Sequence, residues 1–313
     1  MLHRFQDPSI GFTEPGAVFA EYLEKCIVYL IQNDFKISPI NSIVQDIREG
    51  KNAKRNIVFT VDDGYIDFKN VAYPVFKKYN VPVMVFLTTR FIDGKLMQWW
   101  DQLSYILSKT NKSELDLDWE GKTIHFQIDS DESRKGCYKF FLSQLKNLTQ
   151  KERNNRVKAL ASRFDVELPE SPPLEYSALS WDDVCNLKEN GVDFGAHTVT
   201  HPILGNESRS KQQREICLSL RIMEEKLGFR PEVFCYPNGK NADYNSVTIS
   251  LLKNENVIAA VTAEPGFIGG SRNNTSDQFY YQLPRFSFPI NFPHFVQCVS
   301  GLELLKNVML GRK

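Results

Sequence analysis

The sequence predicts an α/β chain, a sheet or barrel of parallel strands interrupted by one inserted segment. Three observations carry this prediction. Ile57-Val58-Phe59-Thr60-Val61 and Val81-Pro82-Val83-Met84-Val85-Phe86-Leu87 are nearly unbroken β-branched, apolar and aromatic runs, as expected of strands buried on both faces. Residues 68–79 between them can form a helix, and strand-helix-strand is the repeating unit of parallel sheets. The rhythm then stops over roughly residues 93–177, a stretch that ends in Pro169, Pro172 and Pro173, a linker signature.

The remaining elements follow in order. Val18, Phe19, Tyr22, Leu23, Ile27 and Leu30 recur at helical spacing within residues 15–34, which predicts an amphipathic helix, and a weaker helix is expected over 40–48. The irregular segment holds Trp99-Trp100, a short hairpin around Glu120-Gly121-Lys122 and a polar helical run over 133–164. Strands are expected again at 193–196, 233–236 and 257–262, with helices at 181–190, 210–227 and 246–254. The expected organisation is a discontinuous barrel over 1–92 and 179–313, with 93–178 as a mainly helical insertion or lid subdomain.

At 313 residues the chain can bury a sizeable core, and 42% hydrophobic and 24% charged residues are ordinary for a globular protein. Thirty-eight basic residues balance thirty-eight acidic ones, so no net field draws the chain to nucleic acid or an anionic membrane. The six cysteines are scattered without a Cys-x-x-Cys pair, which reads as free thiols in a reducing compartment. Met1-Leu2-His3-Arg4-Phe5 lacks the build of a signal peptide, and no apolar run approaches the roughly 20 residues of a spanning helix. With Met1 as the natural start, a cytoplasmic location is expected.

Asp62 and Asp63 directly follow the first buried strand and precede Gly64. In α/β barrels the C-terminal strand edge is where active sites assemble. Adjacent side chains on an extended backbone point apart, so one carboxylate can bind a metal while the other works on a water; the alternative is a plain turn after a strand. His197 and His201, in Gly195-Ala196-His197-Thr198-Val199-Thr200-His201-Pro202, also follow an expected strand. They can converge on one metal if the chain between them turns helically. Two imidazoles and one carboxylate suit a divalent metal such as Zn²⁺ and leave positions open for water. A further carboxylate beside them completes the working set for metal-assisted hydrolysis.

These residues resemble the polysaccharide deacetylase family, the NodB-homology or carbohydrate esterase 4 group. Thr60-Val61-Asp62-Asp63-Gly64-Tyr65 is similar to its first motif, His197-Thr198-Val199-Thr200-His201-Pro202 to its second, and Phe234-Cys235-Tyr236-Pro237-Asn238-Gly239 to its third. The likeness covers about residues 1–92 and 179–270, not the insertion. It implies a distorted (β/α)7 TIM-like barrel. It also implies Asp62 as general base, Asp63, His197 and His201 as ligands of a divalent metal (Zn²⁺, with Co²⁺, Ni²⁺ or Mn²⁺ as alternatives), and the Tyr236 N–H as an oxyanion donor. The metal would lower the pKa of its water toward roughly 7, and Asp62 would take the proton, so that hydroxide attacks the acyl carbonyl.

The C-terminal Leu-x-x-His motif used by many members is missing in its usual form. His294, in Asn291-Phe292-Pro293-His294-Phe295, is a candidate proton donor, and Arg285, in Leu283-Pro284-Arg285-Phe286, can pair with Asp62 or form a surface salt bridge. His3 can face the pocket mouth or take a packed or exposed role, His125 has no visible metal partner and reads as non-catalytic, and Trp99, Trp100 and Trp119 can stack on sugar rings or anchor a core. The expected activity is N-deacetylation of an acetamido sugar, with nucleotide- and lipid-linked intermediates of glycan assembly among the candidate substrates. Rival readings are a carbohydrate O-acetyl esterase or non-sugar amidase on the same scaffold, and an inactive carbohydrate-binding protein.

Overall fold

The computed structural model describes residues 1–6, 16–51, 54–268 and 277–302. β1 (Phe5–Gln6) pairs in parallel with β2 (Val18–Phe19). α1 (Ala20–Gln32) follows at once and buries Leu23, Cys26, Ile27 and Leu30 along one stripe. The helix starts at Ala20 because Val18 and Phe19 are taken into that pairing; residue 15, where periodicity would begin it, lies outside the described residues. β3 (Lys36–Ile37), α2 (Ile40–Arg48) and β4 (Asn56–Ile57) come next, with β3 parallel to β4. The run read as a strand over 57–61 is therefore divided: Ile57 pairs with Ile37, and only β5 (Phe59–Val61) enters the central sheet.

A π-helical turn, Phe68–Ala72, leads into α3 (Tyr73–Lys78), and the chain returns as β6 (Val83–Leu87), buried at every position. After the short α4 (Thr89–Ile92) comes α5 (Trp99–Lys109), then the hairpin of β7 (Glu114–Trp119) and β8 (Lys122–Gln127). Its two-residue turn, Glu120-Gly121, has positive φ at both positions, the geometry that matches strand twist. The helical run over 133–164 is two helices, α6 (Asp131–Lys146) and α7 (Gln150–Arg163). Ser130 and Thr149 each close a capping box at the start of one.

Beyond the prolines, α8 (Trp181–Glu189), β9 (Asp193–Ala196), α9 (Arg209–Leu227), β10 (Val233–Cys235), α10 (Ser246–Asn254) and β11 (Ala259–Val261) alternate as expected, and α11 (Phe292–Val299) follows.

The central sheet has the order β11-β10-β9-β6-β5 with every pairing parallel. Leu2 bridges Val61 on one side and Leu283 bridges Val261 on the other, both parallel. The Met1 amino group donates to the Phe286 carbonyl at 2.7 Å, and the Phe288 N–H donates to the Met1 carbonyl at 2.9 Å. First and last segments thus meet, and the curled sheet closes as a distorted TIM-like barrel. Residues 99–164 carry a separate apolar cluster that includes Leu103, Trp119, Phe126, Phe141, Val157 and Phe164. No helix among the described residues is long and apolar enough to cross a membrane.

Candidate active site

The C-terminal ends of β5, β9 and β10 bring Asp62, Asp63, His197 and Cys235 together. Asp62 leaves β5 on the ladder, its N–H donating to the Leu2 carbonyl at 2.9 Å. Asp63 then adopts φ +75° and Gly64 φ +93°, a left-handed turn that sends the two carboxylates to opposite sides. Gly64 is required twice over, since a Cβ there would lie 2.8 Å from both Ile92 Cδ1 and Leu87 Cδ2.

Asp62 faces Arg285. The guanidinium grips it bidentately, Nη1 to Oδ1 at 2.7 Å and Nη2 to Oδ2 at 2.8 Å, and also donates to Thr60 Oγ1 at 3.0 Å, the Thr262 carbonyl at 2.8 Å and Cys235 Sγ at 3.1 Å. Both residues are buried, so this is the pairing expected of Arg285 and not a surface bridge. Burial alone would raise the Asp62 carboxyl, but the charge and hydrogen bonds of Arg285 outweigh it and hold the group well below the ordinary carboxylate range. Asp62 is ionised at any working pH.

Asp63 faces the histidines. Its Oδ1 lies 3.6 Å from His197 Nε2 and 3.5 Å from His201 Nε2, and it has no hydrogen-bond partner among the described residues. The three ligand atoms lie within 4.8 Å of one another, all on buried residues. Ligands at ~2.1 Å around a tetrahedral ion stand about 3.4 Å apart, so the donor set fits a divalent cation. His197 Nδ1 lies 2.7 Å from the Cys235 carbonyl; a carbonyl only accepts, so the proton sits on Nδ1 and the Nε2 lone pair is free toward Asp63. Burial pushes His197 down to about 4 and His201 well below its usual value, keeping both imidazoles neutral as ligands must be. Burial and then the charge of Asp62 push Asp63 well up, a penalty that a bound cation would remove.

The two histidines do not converge through a helical turn. Thr198 and His201 both have positive φ, and the loop is tied internally by the His201 N–H donating to Thr198 Oγ1 at 3.0 Å. Pro202 follows His201, and the residue before a proline is pushed out of the right-handed helical region. Buried Glu215 of α9 holds the loop from behind, accepting the N–H groups of Val199 at 3.0 Å and Thr200 at 2.9 Å and the Thr200 hydroxyl at 2.7 Å. Sequence reasoning missed Glu215, although a carboxylate one residue before Ile216, on the buried stripe with Leu220 and Met223, was a visible signal.

Two expectations are corrected. The Tyr236 N–H donates to the Val261 carbonyl at 3.3 Å, because the ladder between β10 and β11 runs one residue past Cys235; it is not a free oxyanion donor here. The Tyr236 ring is buried, stacked on Tyr244 at 4.0 Å, with its hydroxyl donating to the Tyr281 carbonyl at 2.9 Å. His294 is exposed in the first turn of α11, whose Phe292 and Phe295 pack on Tyr29 of the outer helix α1, so it does not join the other candidates. His3 does: its Nε2 lies 3.7 Å from Asp62 Oδ2, with the side chain 47% exposed at the mouth. Trp99 and Trp119 are buried, whereas Trp100 sets its ring edge-on to His201 at 4.7 Å.

Residues 49–118 and 137–258 match the sequence profile of the family described as Polysaccharide deacetylase. The chain belongs to this family. The polysaccharide deacetylase match runs into the segment after residue 93 and resumes before its end, leaving out 119–136. A curated relative, the poly-beta-1,6-N-acetyl-D-glucosamine N-deacetylase of Staphylococcus epidermidis, is 23% identical over 175 residues, which is 54% of this chain and 57% of that protein's length. Among solved structures, IcaB from Ammonifex degensii superposes with a TM-score of 0.58 at 14% identity, covering 96% of this chain and 93% of that one. The Streptococcus pyogenes deacetylase PplD, solved with acetate, gives 0.57 at 16%, covering 95% and 96%. At these identities the structural likeness establishes the fold.

Proposed function

We propose that this polysaccharide deacetylase-family chain is a divalent-metal-dependent N-deacetylase acting on an acetylated amino sugar within a glycan or glycan precursor. The observation that carries the proposal is the convergence of Asp63, His197 and His201 beside the buried Asp62–Arg285 pair at the barrel rim. Asp63, His197 and His201 would hold the cation, with Zn²⁺ the best match to two nitrogens and one oxygen, and it would supply Lewis-acid polarisation and an acidified water. The staphylococcal relative, an N-deacetylase of poly-beta-1,6-N-acetyl-D-glucosamine, supports an acetamido sugar.

The chain's own residues supply the proton chemistry. Asp62, fixed by the Arg285 fork, accepts the proton of the attacking water, and its orientation is set before substrate arrives. An amine leaving group needs a proton as the C–N bond breaks. His3, 3.7 Å from Asp62 and open to the mouth, is positioned to pass to the amine the proton that Asp62 takes from the water.

Acetate release from N-acetylglucosamine oligomers, compared with an acetate ester of a phenol, tests this. Asp62→Asn is expected to lower kcat at least 10²-fold on both substrates. His3→Ala is expected to lose a similar factor on the amide but far less on the ester, because a phenolate departs unprotonated. Full activity in the presence of a strong chelator would remove the metal from the mechanism, and equal losses on both substrates would remove His3 as the donor.

A further inference from the structure

The two histidines facing Asp63 are oriented by different means. His197 is fixed by its own hydrogen bond to the Cys235 carbonyl and by the ladder, its N–H donating to the Leu87 carbonyl at 3.0 Å. His201 lacks the equivalent: its Nδ1 is buried and has no hydrogen-bond partner among the described residues. A metal-ligating histidine ordinarily donates from its second nitrogen to a fixed acceptor, which sets the ring plane. Something else must aim His201.

Segment 99–164 supplies that support from two directions. From α5, Trp100 sets its ring edge-on to the His201 imidazole, centroids 4.7 Å apart and planes at 71°. The indole is pinned in turn, Nε1 donating to the Tyr65 hydroxyl at 3.0 Å, and that hydroxyl donates to buried Asp101 at 2.6 Å. From α7, Gln150 donates its amide to the Thr200 carbonyl at 2.9 Å and to Thr200 Oγ1 at 2.6 Å, one residue before His201. Its backbone N–H donates to Glu207 at 2.6 Å, and Asn206 donates to the Lys146 carbonyl at 3.1 Å. A lid would have to break these bonds at every turnover.

We propose that segment 99–164 is a fixed wall of the metal centre, in which Trp100 and Gln150 are positioning residues that aim His201. This rests on the reading of Asp63, His197 and His201 as a metal site. On it, the segment is part of the catalytic architecture.

Zn²⁺ alone is the probe, titrated against a fluorescent chelator competitor with the full chain. Gln150→Ala and Trp100→Ala are each expected to weaken Zn²⁺ binding 10- to 100-fold, the range of losses for residues that support a ligand. Gln150→Glu should be weaker still, because a carboxylate cannot donate to the Thr200 carbonyl. Trp100→Phe, which keeps an aromatic ring beside His201 but loses the Nε1 bond to Tyr65, should fall between wild type and Trp100→Ala. In turnover the losses should be recovered at high Zn²⁺, with KM for the sugar unchanged. Gln150 is only partly buried, so its variants test the proposal even where Trp100→Ala does not fold. Folded Gln150 variants that bind Zn²⁺ as tightly as wild type would overturn the wall and leave the metal site standing. A wild-type chain that binds no Zn²⁺ would bring down both.

Discussion

Asp62 and His197 show that burial disfavours charge on both groups and is outweighed only where an opposite charge is in contact. Asp62 has a cation in contact and is held ionised; His197 has none and is held neutral, down to about 4. That depression has a sign in stability. Between pH 6.5 and 4 the unfolded chain binds a proton on His197 while the folded chain does not, so stability is complete above 6.5 and declines as pH falls toward 4. One such proton corresponds to a slope of about 1.4 kcal/mol per pH unit. Metal-free wild type is therefore expected to lose stability more steeply across this window than His197→Gln, by roughly that slope, in urea melts at stepped pH. Identical pH profiles would mean that His197 is already protonated in the fold. At this scale the sequence displayed Asp62, Asp63, His197 and His201 by their spacing, and it put Arg285 beside Asp62 as one of two readings. It marked Glu215 only by its place on a buried helical stripe, and it could not display the parts of Gln150 or Trp100, which depend on the residues they meet across the fold.

The strands of the barrel are short, and their ends are set by what packs between them. Gly195 sits in β9 where the Phe86 ring of β6 crosses: an added Cβ would lie 2.4 Å from Phe86 Cε1 and 2.8 Å from the Val233 carbonyl. Neither neighbour is a flexible chain end. Gly195→Ala is expected to destabilise by about 1–3 kcal/mol through overpacking. Because His197 lies two residues on, it should also lower activity by more than the lost folded fraction explains; a melting temperature matching wild type would show that the strands have room to shift. Helix positions over 40–48, 181–190, 210–227 and 246–254 were legible because periodicity and capping act locally. The division of residues 57–61 between two pairings, and of 133–164 into two helices, was not. A strand's partner is a long-range choice, and the break at Thr149 rests on a capping box inside a polar run with little apolar periodicity to mark it.

Over the whole molecule, the candidate metal site joins β5, the loop after β9 and, through Trp100 and Gln150, segment 99–164. A ligand bound only by the folded state adds RT ln(1 + [L]/Kd), about 4 kcal/mol at a thousandfold excess over Kd. Saturating Zn²⁺ is therefore expected to raise the melting temperature by several degrees and chelation to reverse it, while His201→Gln should show no such response. A Zn²⁺ shift that persists in His201→Gln would place the bound ion elsewhere.

What the sequence by itself determined is the alternation of buried strands and amphipathic helices and the order of the Asp-Asp, His-x-x-x-His and Tyr-Pro motifs, because periodicity and nearest-neighbour chemistry are written locally. The tertiary structure alone decided which groups share the rim. It turned Tyr236 into a ladder residue, left His294 on an outer helix, brought His3 from the start of the chain to Asp62, and set Trp100 against His201. Each of those outcomes follows from barrel closure and from packing between segments far apart in sequence, where contact is fixed by the register of strands and the volume of side chains and not by spacing along the chain.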